Sequence, residues 1–261
     1  MTRPAIFITG AAAGIGRATA ELFASRGWFV GINDVDETAL RTLAEKLGPS
    51  QCLAAKLDTT DAAAFEKALA DFFKASGGRL DVLFNNAGIA AVDAFENIPL
   101  AKHHRVVDVN LKGVINGCYA ALPYLKQTPG ARVVSMCSAS AIYGAPSFAV
   151  YSATKFAVRG FTEALNIEWA RHGILVMDLM PLFVATPMVS QFETQPKSLN
   201  LLGANLTAND IAAKVWRAAT ISRWCAPVHW LPGVQTYFTW LLQKILPSRL
   251  NRAMVHLLSG Y

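Results

Sequence analysis

The stretch YSATK, residues 151–155, sets a phenol at Tyr151 and a primary amine at Lys155 four positions apart. Residues three and four apart on a helix share a face, so both groups can point into one space. Tyrosine is a poor base at neutral pH because its free pKa is about 10. An ammonium held beside it favours the phenolate and brings that proton within reach of acid–base chemistry. The same spacing also arises on ordinary helix surfaces, so the pair needs a setting before it means chemistry.

The setting is a regular alternation. AIFITG (5–10) is a short apolar run ending in glycine; a helix-periodic segment follows to about Arg26, and WFVGIND reads as a second strand. Helices are expected over about 37–47, 62–74, 107–125 and 151–171, separated by the strand-like runs QCLAAKLD, LDVLFNNAG, ARVVSMCS and ILVMDLMP. Strands alternating with helices of this length predict an α/β fold: a parallel sheet with helices on both faces.

Between the first strand and the first helix lies TGAAAGIG (9–16), with glycines at 10, 14 and 16. Glycine permits a tight turn and close approach of the backbone to a ligand, and the helix start offers free N–H groups to a pyrophosphate. A plain strand-to-helix turn could use the same residues. Asp34 adds weight, because it ends the second strand 20 residues after Gly14, where a carboxylate can accept hydrogen bonds from a ribose diol. That carboxylate repels a 2′-phosphate, which favours NAD over NADP. Ala13, not a basic residue, precedes Gly14, although Arg17 is near enough in sequence to reach the adenosine end.

TGAAAGIG, NNAG (85–88), Asn110, Ser138 and YSATK, in this order, resemble the short-chain dehydrogenase/reductase family over roughly residues 5–190. The resemblance implies a Rossmann-type doubly wound sheet of about seven parallel strands, a nicotinamide dinucleotide, and a catalytic set on Asn110, Ser138, Tyr151 and Lys155. In such a set Tyr151 exchanges a proton with an alcohol or carbonyl oxygen while the carbon exchanges a hydride. Lys155 together with oxidised nicotinamide lowers the phenol's pKa, and Lys155 also binds the nicotinamide ribose. Ser138, at a carboxyl-terminal strand edge, holds the substrate oxygen, and Asn110 fixes a water in a relay to Lys155. The implied cofactor contacts are Gly10, Gly14, Ile15, Gly16, Asp34, Asp58, Asn86, Ala87, Gly88, Tyr151, Lys155, Val184 and Thr186. Asp58 would serve equally as the N-cap of the helix after it, and Asp108 matches a position that is more often structural than catalytic.

One departure stands out. Where the family usually has Pro-Gly after the sixth strand, this chain reads MPLFVATPM, with Leu182 in place of glycine. Leucine does not adopt positive φ cheaply, so the loop is expected to take another path or to offer apolar surface to the substrate. Residues 188–209 lack a clear period and match the family's substrate lid. With Tyr143, Phe148, Leu182, Phe183 and Phe192 near Ser138 and Tyr151, they imply a hydrophobic alcohol, ketone or aldehyde rather than a sugar or charged metabolite. Rival readings are an NADP-dependent carbonyl reductase and a non-catalytic cofactor-binding scaffold, which would commonly lack the tyrosine or the lysine.

Composition bounds the rest. The 261 residues fit one α/β domain (1–233), and 53% hydrophobic against 16% charged residues implies a large core or extra apolar surface. The net charge of +6 is C-terminal: residues 211–261 hold Lys214, Arg217, Arg223, Lys244, Arg249 and Arg252 and no Asp or Glu. Residues 234–261 form an extension of the domain, with Phe238, Leu241, Leu242 and Ile245 at helical spacing, a break at Pro247, and a second amphipathic run through Leu250, Met254, Leu257 and Leu258. This tail is expected to pack over the cleft or in a subunit interface, or to rest on anionic lipid. Its basic residues are too few and too embedded in apolar sequence to track nucleic acid.

Cys52, Cys118, Cys137 and Cys225 show no paired spacing and no leader or spanning segment is evident, which favours a cytoplasmic protein. No metal-ligand spacing is seen, and His103-His104 is expected at a solvated helix start. The family resemblance further implies a homodimer or homotetramer, built on the helices carrying Asn110 and Tyr151.

Overall fold

The computed structural model describes residues 3–192 and 194–261. In chain order its first half runs β1 (Ala5–Thr9), α1 (Gly14–Ser25), β2 (Phe29–Asp34), α2 (Glu37–Leu47), β3 (Cys52–Lys56), α3 (Ala62–Ala75), β4 (Val82–Asn85), α4 (Leu100–Val107) and α5 (Gly113–Leu125). A π-helical turn, Asp108–Lys112, joins α4 to α5. The second half runs β5 (Arg132–Met136), α6 (Ala149–Glu168), β6 (Leu175–Leu179), β7 (Val184–Ala185), α7 (Pro187–Ser190), α8 (Lys197–Leu202), β8 (Leu206–Thr207), α9 (Ala208–Thr220), β9 (His229–Trp230), α10 (Val234–Ile245) and α11 (Ser248–Ser259).

Seven strands form one parallel sheet in the order β3-β2-β1-β4-β5-β6-β9, which is the expected doubly wound arrangement. All five residues of β1 are buried, as they must be when helices cover both faces. The period-2 alternation divides them. Ala5 and Phe7 join the core shared with α3, α5 and α6, while Ile6 and Ile8 join the core shared with α1, α2 and α9. Gly31 in β2 makes room on the first face, since a Cβ there would lie 2.7 Å from the ring of Phe72, which packs edge-on against Phe7.

Three expectations need revision. The helix expected from about 107 begins at Leu100, and Asn110 falls in the π turn inside it. His103 is buried, with its ring stacked on Phe95 and Nε2 3.1 Å from the Phe95 carbonyl; the half of the HisHis pair that faces solvent is His104. Residues 188–209 carry α7, α8 and β8, with β8 paired to β7, although Glu193 lies outside the described residues. The two tail helices fall where the apolar spacing and Pro247 put them. No described helix is long and apolar enough to cross a membrane.

β9, at only two residues, gave no strand pattern to read. Its anchor is polar. His229 Nδ1 lies 3.0 Å from both carboxylate oxygens of Asp178 in β6, and Nε2 lies 3.0 Å from Glu163 in α6, which also pairs with Arg159. Burial pushes the Asp178 carboxyl up, against the pull of His229. Burial alone would lower His229, but the two carboxylates outweigh it and raise the imidazole above its ordinary 6.5.

A raised folded pKa means that this group's stabilisation is fully present below the unfolded pKa and is lost as pH rises through the folded one. His229→Ala strands a buried carboxylate and is expected to cost about 3 kcal/mol at pH 6. Denaturant unfolding of both proteins checks it, with the gap expected to narrow as pH rises above neutral.

Candidate active site

The strand order reverses between β1 and β4, so the loops leaving their carboxyl ends part and leave a crevice. The glycine-rich turn lies on one side of it. Gly10 and Gly14 have φ of 65° and 52°, in the left-handed region that glycine adopts without strain. Gly16 meets a different demand: a Cβ there would sit 2.0 Å from the Gly10 carbonyl oxygen and 2.7 Å from Asn86 Nδ2. α1 begins at Gly14 with no side-chain cap and no acid in its first turn, so the backbone N–H groups of its first turn are left for a ligand. This suits the pyrophosphate of a dinucleotide.

The other implied cofactor residues surround that helix start. Asp34 Oδ2 accepts from Ala12 N at 3.0 Å and Oδ1 from Asp36 N at 3.2 Å, which fixes the carboxylate at the tip of β2. Arg17 is turned to Glu21 at 3.0 Å, and Glu21 also holds Lys46. Asp58 is not the cap of α3; Asp61 fills that place, accepting from Ala64 N at 3.0 Å. Asp58 instead accepts from Thr60 and pairs with Arg105 at 2.8 Å, and these contacts hold its carboxyl below the usual range despite partial burial. Asn86 N and Ala87 N donate to Thr9 Oγ1, and Asn86 Nδ2 donates to the carbonyls of Thr9 and Gly10. Val184 is buried in β7, and the Thr186 side chain lies over Gly14, 3.4 Å from where a Cβ would be.

Ser138, Tyr151 and Lys155 meet in one cavity that Ile15 and Gly88 border on the cofactor side. Tyr151 occupies the first turn of α6, and Lys155 stands one turn on with Nζ 5.4 Å from the phenol ring centre. Ser138 follows β5. Its hydroxyl accepts from Ser140 N at 3.2 Å, capping a short turn, and also hydrogen-bonds the Tyr151 phenol. The role of strand-end cap and that of substrate contact are thus open to the same oxygen.

Two details bear on the expected roles. Asn110 is fully buried; its Oδ1 accepts from Ile89 N at 2.8 Å, and Nδ2 donates to Ile89 O at 2.9 Å and Thr154 Oγ1 at 3.3 Å. Both ends of the amide are therefore spent on joining the π turn, the segment after β4 and α6. Lys155 Nζ donates to the Met136 carbonyl at 2.7 Å. The phenol is not depressed: burial pushes it up to about 12, with Ser138 pulling the other way. Burial lowers the Lys155 ammonium, opposed by the nearby Asp178 carboxylate.

The cavity's remaining walls are apolar. Tyr143, Leu182, Phe183 and Phe192 all line it, as the sequence implied. Phe148 organises them, with ring centres 5.9 Å from Tyr151, 6.2 Å from Phe183 and 5.8 Å from Phe192. Leu182 needs no left-handed backbone, since among the described residues Ser147 is the one non-glycine with positive φ. Of the two paths open to it, Leu182 adds apolar wall. Met188 and Val189 of the expected lid segment and Val255 and Ser259 of α11, in the tail, also join the lining, although the sequence singles out none of the four by residue. The Tyr261 and Ser147 hydroxyls are 3.0 Å apart, tying the chain's last described residue to the loop before α6.

The short chain dehydrogenase family pattern matches residues 4–197. An NAD-dependent glycerol dehydrogenase of Listeria innocua is 32% identical over 181 residues, 69% of this chain and 70% of its own. A mitochondrial borneol dehydrogenase of Lavandula x intermedia is 35% identical, over 78% of this chain and 79% of its own. Among solved structures, a 3-ketoacyl-(acyl-carrier-protein) reductase from Brucella melitensis complexed with NADH superposes with a TM-score of 0.79 at 28% identity, covering 87% of this chain and 94% of its own.

Proposed function

The chain belongs to the short-chain dehydrogenase/reductase family, and from that premise we propose that it is an NAD(H)-dependent oxidoreductase interconverting a hydrophobic alcohol and its ketone or aldehyde, with Tyr151 as general acid/base. The observation that carries the reading is the convergence of Ser138, Tyr151 and Lys155 on one cavity whose other walls are apolar. The chemistry supplied by a bound nicotinamide is hydride exchange with the substrate carbon.

The protein's own groups handle the proton. The high phenol pKa keeps Tyr151 protonated at neutral pH, ready to donate to a carbonyl oxygen that Ser138 also holds. In the opposite direction the phenolate form of Tyr151, favoured by the positive charge of Lys155, takes the alcohol proton and returns to the phenol. The Asn110 amide keeps the floor of the site in register through Ile89 and Thr154, so a water relay to Lys155 would have to run through the backbone of the π turn and not through this side chain. The uncapped start of α1 would hold the pyrophosphate, Asp34 the adenosine ribose, Asp58 the adenine edge, Lys155 the other ribose, and Val184 and Thr186 the carboxamide end.

Tyr151→Phe keeps the ring and its packing on Phe148 but removes the transferable proton. Turnover is expected to fall by about 10³-fold while NADH binding, read by fluorescence titration, stays within about threefold. Retention of most activity would refute the assignment and leave the scaffold reading.

Support for NAD over NADP comes from the fixed Asp34 carboxylate, from Arg17's commitment to Glu21, and from a relative and a similar structure named with NAD or NADH. kcat/KM is expected to favour NAD, and Asp34→Ala to shrink or invert that preference; an NADP preference in the unaltered protein would overturn the role of Asp34. Glycerol and borneol are both alcohols, and the apolar wall favours the hydrophobic kind; turnover of a panel of secondary alcohols, followed by NADH absorbance, discriminates.

A homodimer is proposed through α5 and α6. Tyr119 (76% exposed) and Ile167 (78% exposed) leave apolar surface on these helices, with Ile115 and Phe156 beside them. Tyr119→Glu with Ile167→Glu is expected to convert a dimer to a monomer in light scattering. A monomeric unaltered protein would end this part of the proposal.

A further inference from the structure

Helix α10 is oriented against its own composition. In α10 the one buried residue is Thr236, whose hydroxyl donates to the Pro232 carbonyl at 2.6 Å, and Thr239 lines the cavity. Val234, Tyr237, Phe238, Leu242 and Ile245 stand exposed at spacings of three and four, which makes them one stripe on the outer face. α11 is divided, with Val255 and Leu258 turned to the cavity and Leu250 and Leu257 exposed. Its one buried residue is Asn251, which donates to the carbonyls of Gln243 and Leu246 and so pins α11 to the end of α10, while Leu257 is 78% exposed. Apart from Val255 and Leu258 at the cavity, the large apolar side chains of this helix pair stand largely on the outside, which calls for an apolar partner beyond the chain.

Charge selects the partner. From residue 211 to 261 the chain carries six Lys or Arg and no Asp or Glu. Lys244 Nζ sits 3.9 Å from the ring centre of Trp240 beside the stripe, and Arg249 and Arg252 are exposed at the start of α11. A second copy of this face would bring like charges together, whereas an anionic bilayer takes both the apolar stripe and the cations around it. We propose that the outer face of α10 and α11 docks the protein on an anionic lipid surface. Because the inner face of the same helices supplies Thr239, Val255, Leu258 and Ser259 to the cavity wall, docking sets the roof of the site against the lipid. The docking itself does not depend on the identity of the substrate.

The test is co-sedimentation of the full-length protein with vesicles of phosphatidylcholine alone or mixed with phosphatidylserine. The partition coefficient is expected to be about tenfold higher with phosphatidylserine and to fall as salt is raised. Phe238→Ser with Ile245→Ser should lower it about tenfold through the stripe. Lys244→Glu with Arg249→Glu should do so through charge, both with unchanged thermal unfolding because all four side chains are exposed. Absence of binding to the mixed vesicles, or binding indifferent to both pairs of substitutions, overturns the proposal. So does a dimer that Phe238→Ser with Ile245→Ser splits into monomers in light scattering, which would make the stripe a subunit interface.

Discussion

The junction of Thr9 with Asn86 is the constraint on which the cofactor side of the structure depends. A parallel sheet that winds outward from β1 and re-enters at β4 opens a crevice between those strands, and a crevice between diverging loops has no ladder to hold it. Here one hydroxyl accepts from two successive backbone N–H groups, and one amide bridges two successive carbonyls. With the contact that only glycine permits at position 16, the turn before α1 and the loop after β4 become one body. Backbone groups that would otherwise fray at strand ends are satisfied, and the free N–H groups at the start of α1 keep a fixed aim.

A second junction joins that body to the proton-transfer residues. Asn110 lies in a π turn, a local widening of the helix that often marks a functional site. Its amide reaches Ile89 and Thr154 together, so the segment after β4 and the first turns of α6 share one buried residue. Lys155 is fastened to the Met136 carbonyl on the neighbouring strand and Ser138 follows two residues later. Tyr151, Lys155 and Ser138 are held by backbone on two elements.

What could be read in the sequence was local or periodic. The glycine turn, Asp34 and YSATK announce themselves because each needs a particular residue at a particular offset, and the alternation of elements follows from apolar spacing. His103 could not be read that way. A histidine beside another on a helix start looks solvated until Phe95, eight residues earlier, folds over its ring. β9 is too short for any pattern, and its place rests on one imidazole meeting two carboxylates far apart in the chain. The tail shows the limit most sharply. Periodicity located both helices but left open which way their apolar sides face: the α10 stripe stands exposed opposite a buried Thr236, while Val255 and Leu258 of α11 line the cavity.

The phenol at Tyr151 illustrates why composition at a site does not fix its protonation. Four residues of spacing put an ammonium near it, one of two positive charges, with an oxidised nicotinamide, expected to depress its pKa. In the folded chain Lys155 Nζ is turned to a carbonyl and lies 5.4 Å from the ring centre, while the surrounding protein withdraws water from the hydroxyl. Desolvation acts on the whole charge of a phenolate, so it outweighs one hydrogen bond from Ser138 and leaves the group near 12. The site as folded is therefore an acid. It becomes a base at neutral pH only when more positive charge arrives beside the phenol, and the low-dielectric surroundings that now oppose ionisation would amplify that charge once it is there. The same burial that holds the proton on Tyr151 thus makes its release sensitive to charge placed beside the phenol.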